Sequence, residues 1–214
     1  MIATHVKHPI LRLVVLASDG TRATECSVFC RLKHQSVRLE ECCSCVHCDA
    51  ITDGSRGAVP SVECTIPETP LLPSDDPRGD FTEVGTLLCT GTIVVAEAAT
   101  LRAALDVLRA EDRREVAIVD DRHVLIGLVH ETAFIARRAS GFQAVVGSTM
   151  STAIAVHERT PVRAALRLLA ASHLREATVV SAEGRPIGVF RDVDGLRWIA
   201  AAATAHRETV PAQS

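Results

Sequence analysis

From Val84 onward, short apolar runs and helical-period stretches follow one another in an order that occurs twice. Thr92-Ile93-Val94-Val95 predicts a strand, and the next stretch places Leu101, Leu105 and Leu108 on one helix face at spacings of four and three. Val116-Ala117-Ile118-Val119 and Val124-Leu125-Ile126-Gly127-Leu128-Val129 predict two strands joined by the polar turn Asp120-Asp121-Arg122-His123. A helix from Glu131 to Arg138 closes the unit. The second pass predicts a strand over Ala153–Val156, then a helix with Thr160 as N-cap and Pro161 at its first position. Strands at Ala177–Val180 and Pro186–Phe190 follow, turned by Ala182-Glu183-Gly184-Arg185, and a last helix runs from Val193 past Trp198.

The two passes are copies. At an offset of 61, Arg102-Ala103-Ala104-Leu105 falls on Arg163-Ala164-Ala165-Leu166, and Arg114-Glu115 on Arg175-Glu176. Ile126-Gly127 likewise falls on Ile187-Gly188, and residues 102–128 hold eleven identities without a gap. Chance gives about one or two at ordinary residue frequencies, so the region is an internal duplication.

Before the repeats the pattern changes. Leu13-Val14-Val15-Leu16-Ala17 predicts a strand: behind Lys7 and Arg12 it is shorter than the apolar run of a signal peptide, and no small-x-small site follows. No segment reaches the roughly 18–20 apolar residues of a membrane span, and the expected location is cytoplasmic. Of the eight cysteines, seven lie between Cys26 and Cys64. Residues 66–82 carry four prolines and several acids, which predicts a linker. The organisation is therefore a cysteine-rich domain over residues 1–65, a linker over 66–83, repeats over 84–143 and 144–203, and a tail over 204–214.

A unit of strand, helix, two strands and helix, present twice in tandem, resembles the CBS domain family. The residues that carry the resemblance are Ala117-Ile118-Val119-Asp120 with Ile126-Gly127-Leu128-Val129, and Thr178-Val179-Val180-Ser181 with Ile187-Gly188-Val189-Phe190. The openings Val84-Gly85-Thr86-Leu87-Leu88 and Val146-Gly147-Ser148-Thr149-Met150 fit as well. The resemblance implies an α+β fold in which the pair packs as one disc, assembles as a two-fold homodimer, and binds adenine nucleotides or related ligands in two clefts between the copies.

The family's ribose signature, Gly-h-h-[Thr/Ser]-x-x-Asp, maps Asp194 to the ribose position in copy two, with Arg191 in place of the hydroxyl residue. A carboxylate suits ribose because it accepts from both hydroxyls. Copy one has Ala133 and His130 there instead, so its cleft is degraded for nucleosides. Arg114 and Arg175 stand where the family often places a phosphate contact, against the plainer reading of Arg–Glu surface pairs. Asp194 could equally be a helix-start carboxylate.

The order Cys26-x3-Cys30, Cys42-Cys43-x-Cys45-x2-Cys48, Cys64 offers more ligands than one zinc ion needs. Val28-Phe29-Cys30 through Ser36–Glu41 to Cys42 and Cys45 resembles the zinc-ribbon-like leader of some bacterial CBS proteins. That resemblance implies Zn2+ on Cys30, Cys42, Cys45 and Cys64, with Cys26, Cys43 and Cys48 as alternates. An iron–sulfur cluster, a Cys45–Cys48 redox pair and unliganded core thiols remain open. A metal would supply folding free energy that so short a segment lacks. Cys89 is expected to be an ordinary buried cysteine.

No Walker A loop, dinucleotide fingerprint or G-x-S-x-G is present, and His130-Glu131 and His157-Glu158 lack the second His of a zincin, so no enzyme is expected. A net charge of -3 argues against a broad nucleic-acid surface. Two functions fit: a regulatory protein whose repeats sense a nucleotide-like metabolite while the cysteine module docks on a protein partner, or an adaptor with empty clefts and a redox-responsive or zinc-binding leader.

Overall fold

The computed structural model describes residues 3–54, 59–67, 81–88, 91–136 and 144–209. The linker prolines Pro70, Pro73 and Pro77, Cys89 and the segment expected to end the second helix of copy one lie outside them. In copy one, β-branched residues form the buried strand β7 (Ile93–Ala96), followed by α2 (Leu101–Ala110), β8 (Glu115–Val119), β9 (Leu125–His130) and α3 (Glu131–Ala136). Copy two repeats them as β10 (Ala155–His157), α4 (Val162–Ala171), β11 (Glu176–Val180), β12 (Pro186–Arg191) and α5 (Asp192–Thr209). The offset of 61 holds at both ends of α2 and α4, of β8 and β11, and of β9 and β12.

The helices begin differently. The Thr100 hydroxyl caps α2 by accepting from the Ala103 N–H. Thr160 is not the cap of α4: Pro161 is, without a side-chain bond. The Thr160 carbonyl instead accepts from the Val84 N–H of the opening segment. Each repeat's opening turn docks on the other repeat in this way, since the Val146 N–H donates to the Ala99 carbonyl. The copies are thereby exchanged across a pseudo-two-fold axis.

Each copy buries its own core. Leu101, Ala104, Val107 and Leu108 pack on Ile93, Val95, Val116 and Ile118 in copy one, and Val162, Ala165 and Leu169 pack on Val156, Ala177 and Val179 in copy two. Each Val, Leu or Ile among them, fully buried, contributes roughly 1.5–3 kcal/mol relative to exposure. One packing difference compensates itself. Copy one fills its core with Phe134 from α3, whose counterpart is Gly195; copy two fills it with Phe190 from β12, whose counterpart is Val129. A Cβ on Gly195 would stand 2.7 Å from the Phe190 ring, so the large residue has moved from helix to strand and Gly195 makes room for it.

The leader contributes β1 (Ala3–Pro9), β2 (Leu11–Leu16), β3 (Arg22–Cys30), β4 (Gln35–Arg38), α1 (Leu39–Cys43), β5 (Cys48–Thr52) and β6 (Ser61–Pro67). β1, β6 and β5 form one antiparallel sheet. β2, β3 and β4 instead extend the sheet of copy one, in the order β4-β3-β2-β7-β8-β9, with β2 parallel to β7. Leu11 lies in the core of copy two, while Val14 and Leu16 lie in that of copy one. Strand β2 therefore staples both copies, and Arg12 and Arg22 both pair with Glu111 behind it. Gly91 is what admits this strand, because any Cβ there would collide with the Arg12 carbonyl.

Candidate functional site

A cleft of about 140 Å3 opens where the entry to β7 faces β12. Gly91, Thr92 and Ile93 form one wall and Val189 and Arg191 the other, with Arg113, Arg114, Glu115 and Glu176 between them. Arg113 and Arg114 precede β8 and Glu115 opens it. Arg113 is braced by a bond from its Nη2 to the Gly91 carbonyl at 3.2 Å.

The pseudo-symmetric position is closed. Leu128, the counterpart of Val189, is bridged by Ser151 through two backbone bonds, Leu128 N–H to the Ser151 carbonyl at 3.0 Å and Ser151 N–H to the Leu128 carbonyl at 2.8 Å. A Cβ on Gly127 would stand 2.7 Å from the Met150 sulfur. The chain entering β10 thus lies directly on β9, on the side where Ala133 and His130 had suggested a degraded cleft.

Of the four residues expected to contact a nucleotide, Arg114 and Arg191 line the open cleft. Asp194 stands behind Arg191 and holds its guanidinium as a fork, Nε to Oδ2 at 2.7 Å and Nη2 to Oδ1 at 3.2 Å. The fork takes both carboxylate oxygens, so a ribose would compete with Arg191 for them. Arg175 is outside the cleft, its side chain 87% exposed and paired with Asp192 at 3.2 Å.

The carboxylates on the cleft floor escaped the sequence reading. Glu115 and Glu176 had been weighed only as partners of their preceding arginines. Both line the cleft instead, Glu115 half-buried and Glu176 exposed. Burial, and then the Glu176 carboxylate, push the Glu115 carboxyl up to about 7. The equal offset of the two residues was the available signal.

The leader's cysteines gather elsewhere. Cys30 ends β3, Cys42 lies in α1, Cys45 in the turn after it, Cys48 opens β5, and Cys64 stands opposite Cys48 in β6. The Cys45 N–H donates to the Cys42 carbonyl and the Cys48 N–H to the Cys45 carbonyl, a stepped turn. Cys30, Cys42, Cys48 and Cys64 pack with Val28, Val37 and Val62. Burial first, and then the neighbouring thiols at Cys30, Cys45 and Cys48, push the Cys42 and Cys64 thiols up to about 11. Cys43 is exposed, and Cys26 lies away on β3 opposite Arg12. Soft donors from four elements suit a thiophilic ion, yet among the described residues no three His, Cys, Asp or Glu side chains stand so as to hold one.

Two exchanged repeats with a charged cleft at their junction define a paired ligand-cleft module. The chain belongs to the CBS domain family, whose model matches residues 84–140 and 146–201, more than half of the chain. No curated protein matches it. Among solved structures it is similar to protein MJ1004 from Methanocaldococcus jannaschii, at 19% identity and a TM-score of 0.51 over 62% of this chain and 70% of that one. It is also similar to the CBS domain of a bacterial CNNM/CorC family Mg2+ transporter in complex with ATP, at 17% identity and a TM-score of 0.50 over 59% of this chain and 92% of that one. A third similar structure is CBSX2 in complex with AMP, at 25% identity and a TM-score of 0.47 over 58% of this chain and 98% of that one. Among the described residues no helix is long and apolar enough to cross a membrane.

Proposed function

We propose that the chain is a regulatory ligand sensor whose open cleft binds an adenine nucleotide by its phosphate. The observation that carries the reading is the set of three arginines, Arg113, Arg114 and Arg191, on one cleft between the copies while the opposite side is closed. Guanidinium forks match phosphate oxygens in geometry and charge. ATP in the transporter domain and AMP in CBSX2 set the class of ligand to try first. The leader is the output element in this reading. It touches both copies through β2, so a ligand that changes their spacing moves the leader with it. A protein partner docks there, and the chain acts as a two-fold dimer, which sedimentation would check.

Calorimetric titration with AMP and with adenosine tests the cleft. Arg114→Ala removes a charge-assisted bond of about 1.5–3 kcal/mol, about ten- to a hundredfold in AMP affinity, and leaves adenosine little changed. Equal AMP affinity in wild type and variant refutes the assignment.

The thiol cluster supports a second element of the reading: one zinc ion on four of the cysteines, Cys30, Cys42, Cys45 and Cys64, with Cys48 able to replace one. The convergence of five thiols on one small core is what favours it over a scattered set of core cysteines. Elemental analysis of the purified chain should find about one zinc, lost in Cys42→Ser. Iron, or no metal, returns the leader to the adaptor or redox alternative.

A further inference from the structure

A second pocket, of about 160 Å3, lies at the joint between the leader and copy two, and it shares no residue with the arginine cleft. One wall is leader, with Leu13 of β2, Glu25 of β3 and Arg38 at the end of β4. Strand pairing sets Glu25 opposite Leu13 and Arg38 opposite Ser27, so one face of these three strands supplies both charges. The other wall is the β11–β12 turn and the start of β12, with Glu183, Arg185, Pro186 and Ile187. A smaller hollow of about 60 Å3 continues from it. The two share Leu13, Glu25, Arg185 and Pro186, and the smaller one adds the aliphatic Val15 and Val94 and ends at His123. Glu25 and Arg185 therefore stand where the two hollows meet.

The larger pocket carries two carboxylates, Glu25 and Glu183, and two guanidiniums, Arg38 and Arg185. Among the described residues no salt bridge joins any of the four to another. Glu183 is held within its own turn, where the Ser181 hydroxyl donates to one carboxylate oxygen at 2.8 Å and keeps it ionised. The lining is thus neutral overall, unlike that of the arginine cleft. A phosphate dianion would meet two carboxylates here, and a simple amine two guanidiniums; a zwitterion satisfies both signs at once. The volume is close to the roughly 150 Å3 that admits a six-carbon ring, so a molecule of about six to nine heavy atoms fits and a nucleotide does not.

We propose that this pocket binds a free aliphatic α-amino acid, its carboxylate on Arg185, its ammonium on Glu25 and its side chain in the smaller hollow against Leu13, Val15 and Val94. The guanidinium fork matches a carboxylate in geometry and charge, and the Glu25 carboxylate accepts from the ammonium. The inference goes beyond the nucleotide reading and does not depend on it. The two walls come from different parts of the chain, Glu25 from the leader and Arg185 from copy two. A ligand that engages both ties the leader to copy two.

Calorimetric titration of the full chain with L-leucine tests the pocket. The expected result is one site per chain, more than tenfold tighter for L-leucine than for L-alanine, at about fourfold per buried methylene. Arg185→Ala and Glu25→Gln, both at exposed positions, should each weaken L-leucine about tenfold. Two analogues separate the head groups. 4-Methylpentanoate lacks the ammonium and 3-methylbutylamine lacks the carboxylate, and each should bind at least about tenfold more weakly than L-leucine. Hydrogen exchange should slow on L-leucine binding in β3 and β4 and in residues 181–187 together. No binding of L-leucine at millimolar concentration, equal affinity in wild type and both variants, or an analogue that binds as well as L-leucine overturns the proposal. Protection confined to one wall overturns it as well. AMP binding in the arginine cleft is a separate measurement that none of these outcomes decides.

Discussion

Glu158 offers the most direct test of how the leader is held. Its side chain is 1% exposed, and one carboxylate oxygen accepts the Ser36 N–H of β4 at 2.8 Å. Its backbone is occupied independently, the N–H by the Val180 carbonyl and the carbonyl by the Gly85 N–H, so substitution acts on the side chain alone. Burial raises the Glu158 carboxyl above its ordinary value, despite the opposing Ser36 bonds and the nearby His157 and Arg159. The charge is therefore a cost and the acceptor a gain, and two variants separate them. Glu158→Ala strands a buried N–H, worth about 1–3 kcal/mol, and removes one packed methylene at about 0.8 kcal/mol. In a chain of this length that lowers Tm by on the order of 10 °C. Glu158→Gln keeps an acceptor and drops the desolvated charge, so its Tm at pH 8 should equal or exceed that of wild type. A raised folded-state pKa also means that wild type loses ground to Glu158→Gln as pH climbs from about 4.5 through the folded value. Thermal unfolding at pH 5 and pH 8, with hydrogen exchange at the Ser36 amide, reads both effects. If Glu158→Gln destabilises as much as Glu158→Ala at pH 8, the charge itself holds the leader and the desolvation argument fails.

Gly91→Ala should cost more than about 3 kcal/mol, because its Cβ would displace the Arg12 carbonyl and with it the β2–β7 pairing; unchanged amide protection at Val14 and Leu16 would count against the staple. Phe190→Val should cost about 2–4 kcal/mol by leaving a cavity, and Gly195→Phe should destabilise by overpacking Phe190 and Leu166. The double variant reproduces the arrangement of copy one and should recover at least half of either loss in urea denaturation. A double variant no more stable than the worse single one refutes the compensated packing.

What could be read from the chain alone was local or repeated. Apolar spacing located α2 and α4, β-branched runs located β7 to β12, and the offset of 61 paired the copies position by position. Side-chain chemistry marked Arg114, Arg191 and the cysteines. The remainder depended on contacts between residues far apart in the sequence. Strand propensity predicts that residues 13–17 are extended, but not that β2 lies parallel to β7 and shares its side chains between two cores; that pairing needs the space above Gly91. The signature position of Asp194 is legible, but its engagement by Arg191 depends on where β12 ends over α5. Glu115 and Glu176 read as two surface charges, and only the packing of the copies puts both on the lining of one cleft. Periodicity and composition report what each segment buries; which segment it meets is decided by packing and by backbone pairing across the chain, where one carbonyl, one missing Cβ or one ring displaced from helix to strand selects the partner.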